Sequence, residues 1–328
     1  MVNESQQRFP KIGLALGSGV ARGWAHIGVL RALSKLGIRP DIICGASVGA
    51  LVGGCHLAGR LDNLEEWAKS LSRVRMVSYL DLRVRSGGLI GGNRLTQELR
   101  KNLGDIKIED LSCPFAAIAT DLVTGHEVRL TKGDLAEALR ASFSLPGVFP
   151  PVRLDGRWLI DGALVDPVPV TACRAMGAEM VIAVNLNGDI IGKTRRPGSS
   201  IPTAAGFDLL QYVEENEAAQ PGIFNFGKIG AMTKQIFRRD YEGPSLFGVM
   251  VASLNILQDR ITRSRLAGDP PDVQITPRLG HIGLLEFDRA EEAIAEGENA
   301  VMRVRTEISD AFRVFFGPPP TPSPAEKS

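Results

Sequence analysis

Hydrophobic residues at the start of the chain come in short unbroken runs, and each run is closed by glycine. KIGLAL (residues 11 to 16) reads as a buried strand and GSGVARG (17 to 23) as a glycine-rich loop. Val29, Leu30, Leu33 and Leu36 then fall at helical spacing before Gly37 supplies a C-terminal cap. DIIC (41 to 44) repeats the strand signal, followed by the turn GASVG (45 to 49) and a helix through about Ala58. Strand, loop, helix, strand, turn, helix is the opening of an α/β sheet.

Residues 61 to 112 carry a mostly helical, amphipathic pattern interrupted by SGGLIGGN, whose Leu89 and Ile90 between glycine pairs suit a flap or a plain surface loop. Strands return at PFAAIATDL (114 to 122) and HEVRL (126 to 130), then a helix from Gly133 to Ser142 and the proline-rich SLPGVFPPV (144 to 152). VRLDGRWLI (152 to 160) is a hairpin turning on Asp155-Gly156 and delivering the chain to Asp161-Gly162. A helix over 167 to 177 and the strand EMVIAVNL (179 to 186) complete a compact α/β unit.

Beyond Leu186 the texture changes. NGDIIGKTRRPGSSIPTAAG is loop-like, residues 207 to 267 are largely helical, DVQITP (272 to 277) is a last strand, and a charged amphipathic helix runs from about Phe287 to Phe316. The expected organisation is an N-terminal extension (1 to 10), one domain over 11 to 316 with a helical insertion at 187 to 268, and a disordered proline-rich tail (317 to 328). The fold class is α/β, with a mostly parallel central sheet between helices.

Composition narrows the function classes. With 38 Lys+Arg against 37 Asp+Glu in 328 residues and no basic run, nucleic acid is not an expected partner. Cys44, Cys55, Cys113 and Cys173 show no CxxC spacing and lie in apolar surroundings, so reduced buried thiols and a cytoplasmic location are expected. The polar MVNESQQRFPK and the glycine-broken run after it do not make a signal peptide. Between Asp41 and Arg60 there are 18 uncharged residues with Gly45, Gly49 and Gly53 at GxxxG spacing, but five glycines, His56 and central turn chemistry oppose a spanning helix.

The chemistry gathers at Ser47. A serine hydroxyl needs a base, an oxyanion hole and a backbone that thrusts the oxygen clear of the sheet. Gly45 and Gly49 on either side allow a sharp strand-to-helix turn, although a packed turn of small residues would look the same. The 17 to 23 loop offers successive backbone N–H groups to an anion, either a phosphate or a tetrahedral oxyanion. A dinucleotide site also fits GxGxxxG with Asp41 18 residues beyond Gly23. No Tyr-xxx-Lys pair accompanies it, since Tyr79, Tyr212 and Tyr241 are followed four residues on by Arg83, Asn216 and Ser245. Two bases remain for Ser47. His281, in a loop after a strand, would complete the order Ser47, Asp161, His281 of an α/β-hydrolase triad, though only one strand precedes the serine's own. Asp161 follows an apolar strand and precedes the rigid Asp166-Pro167-Val168-Pro169, and a desolvated carboxylate can serve a serine directly. His26 and His56 inside helices and His126 in a strand read as packed or surface residues.

GSGVARG, GASVG, ASFSLPGVFPPV and DGALVDPVP, in this order across residues 11 to 186, resemble the patatin-like phospholipases, especially the bacterial branch related to neuropathy target esterase. The resemblance implies a three-layer α/β/α fold and a dyad with Ser47 as nucleophile and Asp161 as base. It also implies an oxyanion hole from the amides of Gly17, Ser18, Gly19, Val20, Ala21, Arg22 and Gly23, with Arg22 as the loop arginine, and neither metal nor cofactor. Three residues depart from the pattern: Ser18 and Ala163 stand for glycines, and Asp166 stands where Asn is frequent, close enough in sequence to raise the base's pKa.

The expected activity is hydrolysis of lipid acyl esters; a regulatory or lipid-binding module with weak esterase activity is the alternative that Asp166 and the long helical segment suggest. SLFGVMVASLNILQ (245 to 258) followed by Arg260, Arg263 and Arg265 fits an interfacial helix in peripheral contact with a membrane, and fits a core helix with cations near its C-terminus as well. Substrate head group, acyl length and oligomeric state are left open.

Overall fold

The computed structural model describes residues 10–71, 93–189 and 246–317. The Leu89-Ile90 flap, most of the 187 to 268 insertion, the N-terminal extension and nearly all of the tail lie outside the described residues.

The opening runs form the expected elements: β1 (Ile12–Leu16), α1 (Ala25–Lys35), β2 (Ile42–Ala46), α2 (Val48–Leu57) and α3 (Leu61–Lys69). After them come α4 (Asn93–Leu103), β3 (Phe115–Asp121), β4 (Glu127–Leu130), α5 (Leu135–Ser142), β5 (Val152–Leu154), β6 (Arg157–Asp161), α6 (Val170–Ala175) and β7 (Met180–Val184). α7 (Leu246–Gly268), β8 (Val273–Ile275), α8 (Ala290–Arg303) and α9 (Arg305–Phe316) close the chain.

The boundaries shift for local reasons. Pro169 disfavours the helical conformation at Val168 before it, so α6 starts at Val170 rather than at 167. Asp134 accepts a hydrogen bond from the Glu137 amide and sets the start of α5 at Leu135. His126 stands just before β4 rather than in it. The single helix expected over 287 to 316 is a 3-10 turn and two α-helices, broken at Val304. The Asp155-Gly156 turn holds both residues at positive φ, 48° and 78°, as a two-residue hairpin requires.

The sheet runs β5-β6-β3-β2-β1-β7-β8, with β4 paired to β3. β8, β7, β1, β2 and β3 are parallel, and β4, β5 and β6 make the antiparallel end. Along β1, Ile12, Leu14 and Leu16 face a core shared with α1, α2, α5 and α8. Ala15 faces the opposite core, with Val170 and Cys173 of α6. The second face carries several small residues, and α6 comes so close that a Cβ at Gly13 would lie 3.0 Å from that of Cys173. Helices thus cover both faces, which is why β1, β2, β3 and β7 are buried throughout their length. Cys44, Cys55 and Cys173 are buried free thiols and Cys113 is half-buried.

Register explains how the chain converges on one point. β4 occupies one edge of β3 over residues 117–120, so β2 and β6 share the other edge. β2 climbs it parallel to β3 and ends with Ala46 opposite Ile118. β6 descends it antiparallel and ends with Asp161 opposite Ala119. Two strand ends therefore meet head to head on adjacent rungs of β3.

Candidate active site

Ser47 is the residue between β2 and α2, and its backbone is held at φ 56°, ψ −123°. A non-glycine residue rarely occupies that region, and a strained conformation persists only where its surroundings over-determine it. Those surroundings are explicit. A Cβ at Gly49 would strike the carbonyl oxygen of Leu16, and one at Gly45 would strike the Ala50 backbone, so both flanking glycines are required by close approach. The Ser47 amide donates to Ser142 Oγ (3.0 Å), and that hydroxyl donates to the Ile118 carbonyl (2.5 Å).

The serine hydroxyl donates to Asp161 Oδ2 at 2.8 Å. Asp161 is 1% exposed, its Oδ1 accepts from the Ala163 amide (2.8 Å), its own amide donates to the Ser144 carbonyl (2.9 Å), and its carbonyl accepts from Thr120 Oγ1 (2.8 Å). Gly162 is again a close approach, since a Cβ there would meet the Ile118 carbonyl. Burial raises the Asp161 carboxyl to about 7, opposed by the hydrogen bonds from Ala163 and Ser47. The shift has burial as its cause, not Asp166, contrary to the expectation from their closeness in sequence. Asp166 is itself raised to about 7, by its own burial and then by Glu127, with Arg265 and Arg129 opposing.

Four of the seven amides of the glycine loop are tied up within the fold. Gly17 N–H donates to the Val184 carbonyl, Ser18 N–H to Pro167, Ala21 N–H to Leu284 and Arg22 N–H to Gly19. A buried loop must satisfy its own donors, and these four are committed. Among the described residues the amides of Gly19 and Val20 have no acceptor, and Gly23 lies within a 3-10 turn (Val20–Trp24) with the Val48 side chain against it. Val20 sits at φ 51°, a strained setting for a β-branched residue. Arg22 is buried and its Nε donates to the Ile282 carbonyl (2.8 Å), while burial lowers the guanidinium to about 10 against the pull of Glu286. The first intrahelical bond of α2 runs from Leu51 N–H to Ser47 O, so the N-terminal end of that helix and its dipole face the serine.

His281 does not join the pair. Its ring is exposed and its Nε2 lies 2.6 Å from Glu292 Oε1, so the triad alternative loses its third member. Asp41 holds the Ile12 amide through Oδ2 (2.8 Å), a tie between strands that leaves the ribose role of a dinucleotide site unsupported. Among the described residues no cluster of three or more His, Cys, Asp or Glu could hold a metal ion.

Sequence reading missed Ser142 and His26. Ser142 lies inside ASFSLPGVFPPV but carries no signal of its own, because the groups it joins are 24 and 95 residues away. His26 looked like a packed helix residue; it is fully buried, with Nε2 2.7 Å from the Gly17 carbonyl, and burial lowers its pKa to about 4. Ser142→Ala leaves the Ser47 amide and the Ile118 carbonyl without this partner, and we expect a loss of about 1–3 kcal/mol in urea denaturation together with a lower kcat. Unchanged stability and kcat would show that the bridge holds nothing.

Residues 14–174 match the family model described as patatin-like phospholipase. Over 338 aligned positions the chain is 34% identical to an uncharacterized NTE family protein of Mycobacterium tuberculosis, covering 93% of each. The chain belongs to the patatin-like phospholipase family, with lipid acyl hydrolysis as the activity the family supports. Its near-full-length relatives carry the NTE family name, and it is 36% identical over 183 residues to human patatin-like phospholipase domain-containing protein 6, which spans 53% of this chain and 13% of that one. Neuropathy target esterase sws of Drosophila melanogaster is 34% identical over 182 residues, 13% of its length.

Proposed function

We propose that the protein is a serine acyl hydrolase that cleaves carboxylic esters of lipids or lysolipids through Ser47 and Asp161. The observation that carries this reading is the 2.8 Å hydrogen bond between a serine on a strained strand-to-helix turn and a buried carboxyl. Ser47 Oγ attacks the ester carbonyl carbon as its proton passes to Asp161. The oxyanion that forms is met by the Gly19 and Val20 amides and the N-terminus of α2. The carbon–oxygen bond to the alcohol breaks, the alcohol takes the proton from Asp161, and the acyl group stays on Ser47. A water molecule then gives its proton to Asp161 and attacks the acyl carbon. The fatty acid leaves and Ser47 regains its proton. No step calls on a metal or cofactor.

The reading includes a cytoplasmic protein that meets its substrate in peripheral contact with a membrane. Val249, Ile256 and Leu257 on α7 are exposed ahead of Arg260, which supports that contact. No described helix is long and apolar enough to cross a membrane.

The test is the pH profile of kcat/KM on a soluble short-chain ester, beside fatty-acid release from lysophospholipid. Asp161 accepts a proton only when ionised, so activity should rise with pH through about 7 to a plateau and be unchanged by EDTA. A profile flat from about pH 5 to 9, or activity lost to the chelator and restored by calcium, would contradict the Ser-Asp mechanism.

A further inference from the structure

His26 takes no part in the steps above, yet its buried ring is spent on the glycine loop. A carbonyl oxygen can only accept, so Nε2 carries the hydrogen and donates to Gly17 O at 2.7 Å, while Nδ1 is buried with no hydrogen-bond partner among the described residues. His26 is the second residue of α1, and its side chain reaches back across the whole loop to the end of β1.

Gly17 is therefore fixed on both sides. Its N–H donates to the Val184 carbonyl (3.0 Å), its carbonyl accepts from His26, and the next amide, of Ser18, donates to the Pro167 carbonyl (2.9 Å). The same carbonyl oxygen lies against Gly49, where a Cβ would come within 2.7 Å of it. Gly49 is two residues past Ser47, in the first turn of α2. The His26 bond thus fixes an oxygen that, beside that of Leu16, lies at the contact between the glycine loop and the helix of the serine. Beyond it, Val20 is held at φ 51°, a conformation that relaxes unless its neighbours are rigid.

We infer that His26 is a positioning residue: its Nε2–H sets the Gly17–Ser18 peptide and, through it, the spacing of the Gly19 and Val20 amides from Ser47. This rests on the acyl-hydrolase reading. An apolar side chain of equal size would fill the space but leave a buried carbonyl without its donor, free to turn toward Gly49. The ring is not a general base here, since Nε2 is already donating and the residue is fully buried.

The experiment compares His26→Leu, His26→Asn and His26→Gln with the wild type. Leu removes the donor, Asn keeps an amide that is too short, and Gln places an amide nitrogen about as far from the backbone as Nε2. Kinetics on a soluble ester, the rate of fluorophosphonate labelling at Ser47, and hydrogen exchange of the peptide covering residues 17–24 are read in each.

For Leu and Asn, kcat and the labelling rate should fall about 10- to 100-fold with KM within about twofold. Exchange should quicken in residues 17–24 and not elsewhere, and Gln should recover most of both. The inference is overturned if Leu and Asn keep wild-type kcat and exchange, or if all three variants lose activity in step with Tm. Should the wild type neither turn over ester nor label, the hydrolase reading has failed, and the exchange pattern alone still judges the tie: unchanged exchange in Leu and Asn refutes it. If His26→Leu does not fold, His26→Asn against His26→Gln carries the comparison.

Discussion

Ser47→Ala should lower ester turnover by about 10⁴-fold or more and leave the protein folded. Removing Oγ deletes the atom that would carry the acyl group, so the carboxyl of Asp161 has nothing to activate. The fold loses little, because the Ser47 hydroxyl makes one hydrogen bond and its amide remains held by Ser142. Alanine retains the strain of φ 56°, whereas Ser47→Gly should relieve it and gain about 1 kcal/mol in denaturant unfolding while being equally inactive. A Ser47→Ala protein that keeps a tenth or more of wild-type turnover would mean that another nucleophile does the chemistry.

The second large effect couples activity to stability with opposite signs. A carboxyl that titrates near 3.8 in the unfolded chain and about 7 in the folded one holds its proton more tightly when folded. Stability therefore falls as pH rises from the first value to the second, and above about pH 7 the full cost, about 4 kcal/mol, is present. Asp161→Asn removes the buried charge and with it that cost, and an amide misfitted to the Ala163 and Ser47 hydrogen bonds returns part of it. The variant should be about 1–3 kcal/mol more stable than wild type at pH 8 and show no gain below about pH 4, with turnover down by about 10³-fold or more. Urea titrations at the two pH values check it. A variant less stable than wild type at pH 8 would mean that Asp161 is not a charged, desolvated group in the folded protein.

Much of the fold was legible because local signals and tertiary structure agree. The runs at 11 to 16 and 41 to 44 are buried parallel strands with no polar face to place, so an unbroken apolar run was the right signal. Asp155-Gly156 carried its own turn chemistry. Ser47 and Asp161 were legible as candidates, since glycines mark close approach around both, but their meeting depends on two strands sharing one edge of β3, which no local pattern encodes. Ser142, Thr120 and His26 act through single contacts to backbone atoms from distant segments, and such contacts leave no periodicity behind. For the same reason the sequence shows the loop amides only as seven donors in a row, and packing decides which of them already have acceptors.

Covalent labelling with a fluorophosphonate, mapped by peptide mass spectrometry, tests the Ser-Asp pair most directly when run on wild type, Ser47→Ala, Asp161→Asn and His281→Ala. Wild type and His281→Ala should carry the label on Ser47, Ser47→Ala should carry none, and Asp161→Asn should label far more slowly. A His281→Ala protein as unreactive as Ser47→Ala, or a wild type that labels at another residue, would contradict a serine served by Asp161 alone.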